Sequence, residues 1–501
     1  MPLKANQLKS GVILSYISKI IQIVIGILYT PLMIRLLGQS EYGLYNIAAS
    51  IISYLGVLNF GFGSAYMRFY SRFKVNEDEN QVANLNGMFI EIFGVLGLLA
   101  AIAGIILAFN VELIFGPSLN SRELAIAKIL ILILVVNLAI SFLTVVFTTY
   151  LQANEKFIEQ NILVIINQIT APLVSLPLLL MGYGSIGMVL GTTIVHIIIN
   201  IATMVYAIKK LDMKIAFDHF DRSLFKEMSS FSFFIFINLV VDQINNNVDK
   251  TILGRYQGTT SVAIYSVGAN LNTYYTQLST TISTVFTPRV HRMEARNVSN
   301  YEMTALFSRV GRIQFILLSF ICLGFISFGK PFIYFWVGSG YEDSYYVALI
   351  LMCTIIIPLI QNLSIEIQRA KNKHQFRSWL YIFMAIGNII ISIPLSQKYG
   401  AIGATIGTSF SYLLGNGIIM NWYNKNKIGL DILQFWKEIL KFIPSFIVPS
   451  IYGIFTNKLI NLNIFTNFII CGFLYIIIFG ISIWLFGLND YEKRLFKSPF
   501  K

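Results

Sequence analysis

The sequence predicts an all-α polytopic membrane protein of about fourteen transmembrane helices, and composition, hydrophobic run length and loop charge each point to it. Of the 501 residues 56% are hydrophobic and only 12% charged, with a mean hydropathy of +0.69. A water-soluble globule of this size needs far more polar surface. A spanning helix takes about 20 apolar residues, and fourteen stretches qualify: 11–34, 44–66, 87–109, 125–151, 161–181, 186–208, 231–254, 262–286, 313–329, 345–368, 378–396, 401–423, 439–456 and 465–486. With a cytoplasmic N-terminus, twenty-eight of the 37 Lys and Arg fall in inner segments, six are spread singly over outer ones, and Lys19, Lys128 and Lys250 lie inside spans. That asymmetry follows the positive-inside rule, puts both termini in the cytoplasm and calls for an even number of spans. It also accounts for the net charge of +13 without nucleic acid as a partner. Trp336, Trp379, Trp422, Trp436 and Trp484 all fall at span ends, where an amphipathic ring prefers to sit.

The chain also repeats itself at an offset of 216 residues. Leu37-Gly38 recurs as Leu253-Gly254, and Tyr183-Gly184-Ser185-Ile186-Gly187 through Thr192 recurs as Tyr399-Gly400-Ala401-Ile402-Gly403 through Thr408. Gln152 falls on Gln368, and Pro177 within a residue of Pro394. The predicted organisation is a six-helix bundle over 1–208, a cytoplasmic linker over 209–230, a second bundle over 231–424, and two additional helices with a cytoplasmic tail over 425–501. An even number of spans per half makes the repeats parallel, related by an axis along the membrane normal. Head-to-tail halves are the mark of a carrier with its substrate between them; a channel, or a duplication that serves folding alone, shares the pattern.

Enzymatic readings find little support. The longest loops, 209–230 and 287–312, leave no room for a soluble catalytic domain, and the chain has no glycine-rich phosphate loop ending in Lys-Ser/Thr. No Ser/His/Asp constellation or metal-ligand spacing is present, and Cys322, Cys353 and Cys471 show no pairing pattern. Neither a metal nor a cofactor is implied. The first apolar stretch reads as a signal anchor.

Charges inside lipid cost about 2.5–3.5 kcal/mol on insertion scales, so each invites a functional hypothesis. In the first span Ser15, Lys19, Gln22, Gly26 and Tyr29 share one helical face, and in the seventh Asn238, Asp242, Asn245 and Asp249 do the same. Subtracting 216 puts Asn238 on Gln22 and Asn245 on Tyr29, so both stripes are expected to line one central cleft. The eighth span adds Asn270, Thr273, Gln277 and Thr284, and the second adds Asn46, Ser50 and Ser53. For the hydroxyls and isolated Asn, hydrogen bonding across packed helices is the competing reading. Lys128, Glu91, Lys250 and Arg255 can snorkel to the interface. Arg68 closes the second span, and Glu366 and Arg369 close the tenth as a candidate ion pair, for gating or substrate capture. His196 is a proton-relay candidate or a packed core histidine.

The run Asn6 to Arg72, with Pro31-Leu32-Met33-Ile34-Arg35-Leu36-Leu37-Gly38 followed by Glu41-Tyr42-Gly43-Leu44-Tyr45, and the two Tyr-Gly-x-Ile-Gly segments resemble the polysaccharide-biosynthesis flippases of the multidrug/oligosaccharidyl-lipid/polysaccharide (MOP) exporter superfamily, the Wzx-type or O-antigen transporters. The resemblance covers essentially the whole chain. It implies a V-shaped pair of six-helix bundles in the bacterial cytoplasmic (inner) membrane. These would carry an undecaprenyl-diphosphate-linked oligosaccharide, an O-antigen, capsule or exopolysaccharide unit, from the inner to the outer leaflet by alternating access. Lys19 and Arg68 would then attract the diphosphate, and Gln22, Asn238, Asn245, Asn270 and Gln277 would meet sugar hydroxyls. Asp242 or Asp249 would bind a coupling H+ or Na+, and Glu366 and Arg369 would gate. Membrane lipids, a polysaccharide polymerase and chain-length machinery are the partners this implies. A cation-coupled multidrug exporter of the same superfamily and, from another class, a membrane-embedded polysaccharide polymerase or ligase are the alternatives. The first prefers an acidic cleft and the second a large outer loop.

Overall fold

The computed structural model describes residues 2–217 and 220–497. Eighteen helices follow one another: α1 (Pro2–Gly56), α2 (Phe62–Val75), α3 (Glu79–Phe109), α4 (Val111–Phe115), α5 (Ser121–Ala153), α6 (Phe157–Leu180), α7 (Gly184–Lys210), α8 (Arg222–Tyr256), α9 (Thr259–Ala295), α10 (Asn300–Val337), α11 (Glu342–Ile360), α12 (Leu363–Ala370), α13 (Gln375–Tyr412), α14 (Met420–Tyr423), α15 (Ile432–Leu440), α16 (Ile443–Leu459), α17 (Phe465–Phe486) and α18 (Asp490–Lys497). Among the described residues there is no strand. Several helices start where a short polar side chain can accept from the first turn's otherwise orphaned N–H groups. Asp78 accepts from Gln81, Asp221 from Ser223 and Leu224, and Asp431 from Gln434, while Asn120 and Glu123 form a reciprocal capping box at α5.

Among the described residues ten helical segments are long and apolar enough to cross a membrane, eleven with the bent pair α15–α16 taken as one. The fourteen spans of the sequence reading are not reproduced as separate helices. Two continuous segments, Ile13–Val75 and Gln375–Ile428, each take in two of the stretches. Between the paired stretches the backbone leaves helical geometry at Gly38 (φ 74°) in α1 and at Gly400 (φ 56°) in α13, and the first segment is broken again at Phe60 and Gly61, both of positive φ, ahead of α2. The gap that hydropathy sees between the stretches coincides with a kink at which two helices are joined end to end. α9, rich in Ser, Thr, Asn and Gln, is too polar to qualify.

The solvent-exposed faces confirm lipid as the surrounding medium. On α16 the stripe Ile443, Ile447, Ile451 and Ile454 is exposed, each about half or more of its surface, an arrangement water would penalise and acyl chains accept. This is a multi-pass membrane protein.

The chain forms two compact units, Met1–Ala263 and Ile264–Lys501. The first has an aromatic core around Tyr66, Phe69, Phe89 and Phe93, all nearly inaccessible. α8 is packed into this unit. Phe236 stacks on Phe60 at 4.5 Å, Thr251 donates to Tyr54 at 3.5 Å, and Arg255 Nη1 donates to the carbonyls of Leu113 and Ile114 at 3.1 and 2.7 Å. In the second unit Phe307 stacks on Phe435 at 4.4 Å, and Phe442, Tyr475 and Phe479 knit α17 to α16 and α10.

The repeated motif has the same local geometry in each unit. Gly184 and Gly400, its first glycines, both take a left-handed φ, 59° and 56°, at the turn into a helix. Its third glycines mark close helix contact. A Cβ at Gly191 would lie 3.2 Å from Ser175 Cα, and one at Gly407 would lie 2.9 Å from Ser392 Cα. The duplication thus preserves an elbow and a helix-packing point.

Candidate functional site

In the first unit the polar stripe of α1 divides between two jobs. Asn161 Nδ2 of α6 donates to Ser15 Oγ at 3.0 Å, and the Tyr29 and Ser175 hydroxyls meet at 2.6 Å. Ser18, off the expected stripe, is buried and donates to Gln168 Oε1 at 3.4 Å. These contacts fix α1 against α6, as interhelical hydrogen bonds do in membranes. Between them Lys19 and Gln22 stay exposed.

The stripe on α8 rotates along its length. Asn238 and Asp242 are exposed, Asn245 is half-buried, and Asp249 is 1% exposed. Neighbouring polar groups are used locally: Asn246 Nδ2 donates to the Asp242 carbonyl and Asn247 Nδ2 to Gln243 Oε1, both at 2.8 Å. Arg68 is exposed on α2, its guanidinium 4.9 Å from the centre of the Phe231 ring. The first unit therefore carries Lys19, Gln22, Arg68, Asn238, Asp242, Asn245 and Asp249 on α1, α2 and α8. A separate cavity of about 710 Å³ beside α2, α3 and α8 is lined by Phe60, Phe62, Phe225 and Phe233 and uses none of them.

In the second unit Asn270 and Gln277 lie half-buried on α9, and Gln277 Oε1 has no hydrogen-bond partner among the described residues. Glu366 and Arg369 form the ion pair their spacing predicts, at 2.7 Å, with the arginine largely exposed and the carboxylate mostly covered. Gln368, the repeat equivalent of Gln152, is fully buried and donates to Asn424 at 2.8 Å. His196 Nδ1 lies 3.3 Å from Asn137 Nδ2. Among the described residues no group of three or more His, Cys, Asp or Glu could hold a metal.

Two constructions went unforeseen in the sequence. Glu41 Oε2 accepts from the backbone N–H of Ser185 at 2.7 Å, capping the N-terminus of α7, where an anion is favoured by the helix dipole. The Glu41-Tyr42-Gly43 and Tyr183-Gly184-Ser185 motifs therefore touch, and the first anchors the elbow built by the second. Beside them Ser40 and Thr259 both donate to Glu123 Oε1, at 2.6 and 3.0 Å. The other construction is a buried clamp on Arg312, which is 4% exposed. Its Nε donates to Glu492 Oε1 at 2.6 Å and its Nη2 to Glu492 Oε2 at 2.8 Å and to the Gly487 carbonyl at 3.0 Å. Nη1 donates to the Glu438 carbonyl at 2.8 Å and to Glu438 Oε2 at 3.4 Å, and the guanidinium sits 4.3 Å from the Phe442 ring centre. The clamp ties α15 and α18, both beyond the repeat, to α10.

These helices, with their repeated elbows and polar faces, make up the fold of a multi-pass membrane protein. The chain belongs to the polysaccharide biosynthesis protein family, matching it over residues 8–294, more than half its length. It is 20% identical over 395 residues to a Shigella flexneri protein named as an O-antigen transporter, covering 77% of this chain and 90% of that one. Among solved structures it is similar to the lipid II flippase MurJ in an inward closed conformation (TM-score 0.73, 20% identity, 95% of this chain and 98% of that one). It is similar also to an inward-facing multidrug resistance MATE family transporter of the MOP superfamily (TM-score 0.65, 12% identity, 84% and 99%). The family resemblance carried by the N-terminal run and the repeated motif is thereby borne out.

Proposed function

We propose that the protein is a flippase that moves an undecaprenyl-diphosphate-linked oligosaccharide, a repeat unit of O-antigen, capsule or exopolysaccharide, from the inner to the outer leaflet of the bacterial cytoplasmic membrane. The observation that carries this reading is the combination of membership in a polysaccharide biosynthesis family with a fold shared along 95% of the chain with a lipid-precursor flippase. The residues are suited to the task. Lys19 and Arg68 are exposed cations that can meet a diphosphate, and Gln22, Asn238, Asn245, Asn270 and Gln277 offer amide groups to sugar hydroxyls. The two repeats, 1–208 and 231–424, would rock about a cleft that hydrates the sugar while the isoprenoid stays in lipid. Asp242, exposed on α8, is the better-placed carboxylate for a coupling H+ or Na+, with Asp249 more deeply buried. The Glu366–Arg369 pair would gate by opening and closing.

A second reading, a cation-coupled multidrug exporter, draws on the MATE likeness, which covers 84% of the chain against 95% for the flippase. Deleting the gene separates the two. The flippase reading expects lipid-linked oligosaccharide to accumulate on the inner leaflet, restored to export by the intact gene and not by Lys19→Ala. An unchanged leaflet distribution with increased drug sensitivity would favour the exporter.

A further inference from the structure

We propose that the elbow between α9 and α10 is a binding site for a phosphate ester, formed by Arg289, Arg292 and Arg296. The three arginines follow one another at steps of three and four residues, so Arg289 and Arg292 on the last turns of α9 and Arg296, one residue beyond its end, leave on one side. The turn after Ala295 brings α10 back across them and leaves a cavity of about 430 Å³, walled by the three arginines, Met293, Val298 and Glu302. Three permanent cations share this concavity with a single carboxylate.

Elsewhere among the described residues four exposed basic side chains are ion-paired. Arg72 meets Glu227, Lys214 meets Glu79, Arg369 meets Glu366 and Lys441 meets Glu438. Among the described residues no carboxylate lies within ion-pair distance of Arg289, Arg292 or Arg296, although Glu302 is at the cavity wall and Glu294 on the same helix. The donors are left facing open space, and a guanidinium fork matches a phosphate's paired oxygens. Met293 and Val298 provide an apolar edge on which the carbon portion of an ester can rest. On the loop-charge bias this elbow lies on the cytoplasmic side, where the anions are phospholipid headgroups and the diphosphate of a lipid-linked precursor. Both are phosphate esters, and the site's chemistry is common to the two.

The test uses the full chain, purified in detergent, stripped of lipid and titrated separately with phosphatidylglycerol and with inorganic pyrophosphate, with bound adducts counted by native mass spectrometry. The triple variant R289Q/R292Q/R296Q is expected to bind whichever probe the wild type takes at least about tenfold more weakly. The triple lysine variant, which keeps the charge but not the fork, is expected to fall between. Binding of phosphatidylglycerol without pyrophosphate assigns the site to bilayer headgroups; equally strong binding of pyrophosphate assigns it to a diphosphate. A glutamine variant with the wild-type size-exclusion profile that binds both probes as the wild type does overturns the proposal, as does a wild type that binds neither. Should the triple variant not fold, the single R292Q, in the middle of the row, gives the same reading. The measurement involves no transport, so its failure leaves the flippase reading standing and the converse holds too.

Discussion

Replacing Glu492 by glutamine would release the C-terminal helix. Arg312 and Glu492 are 4% and 1% exposed in side chain, and the guanidinium's donors are all directed to Glu492, Glu438 and the Gly487 carbonyl. Removing the charge of Glu492 keeps its shape but leaves a buried cation with a 3.4 Å contact to Glu438 as its remaining carboxylate partner. Breaking one side of a buried ion pair costs about 3–5 kcal/mol, because the survivor has lost its solvent and gained nothing in return. Glu492 also closes a reciprocal cap with Asn489 at the start of α18, accepting from the Asn489 N–H at 2.9 Å. The loss should therefore localise to α18 and appear as an increase of about two to three and a half decades in amide hydrogen exchange over Asp490–Lys497. Arg312→Met combined with Glu492→Leu is expected to recover much of the protection, since a well-packed apolar pair avoids the desolvation altogether. Exchange over α18 within about tenfold of wild type in Glu492→Gln would refute the clamp as the element that holds the tail.

Gly184→Val and Gly400→Val each force a β-branched side chain onto a positive-φ backbone and should destabilise their elbow by about 1–2 kcal/mol or more, read as lost folded yield in detergent; the loss at Gly184 is expected to be compounded by collision with the Glu41 carboxylate. Glu41→Ala removes the cap on α7 and should cost about 0.5–2 kcal/mol in thermal stability, whereas Glu41→Asp should retain part of it. Glu79→Gln breaks an exposed pair with Lys214 and should change thermal stability by less than a degree or two, since such pairs are screened by water. The Glu79 carboxylate holds the Lys214 ammonium above its ordinary value, so whatever the pair contributes is present at neutral pH and fades as pH rises through the lysine range or falls through the carboxylate range. Asp242→Asn should abolish ion dependence of transport with the protein still folded, and transport that keeps its full ion dependence would remove Asp242 from coupling.

The membrane class was legible in the sequence because burial in lipid requires long apolar runs wherever the chain crosses. Span count was less so. At Gly38 and Gly400 one residue of non-helical backbone joins two helices end to end, so stretches that hydropathy separates follow one another without a loop. α9 carries so many hydroxyls and amides that it reads as amphipathic when placed in a hydrophobic series. Helical spacing correctly put Ser15, Lys19 and Tyr29 in one stripe, but periodicity says only that residues share a face. It cannot say which neighbour meets that face, and α6 claims Ser15 and Tyr29 while leaving Lys19 exposed. The Glu41 cap and the Arg312 clamp join residues 144 and 180 positions apart, with no local pattern to announce the pairing. Glu41 had one signal, its place in a family-like motif, and that motif turns out to meet the repeated elbow.

The most direct test of the account is reconstitution of the purified chain into proteoliposomes with an undecaprenyl-diphosphate-linked oligosaccharide confined to the inner leaflet, followed by the fraction that becomes accessible to an external glycosidase. The account predicts that the wild type raises this fraction well above protein-free vesicles and that Lys19→Ala, equally folded and inserted, does not. An accessible fraction at the protein-free level with the wild type, or one undiminished by Lys19→Ala, would contradict it.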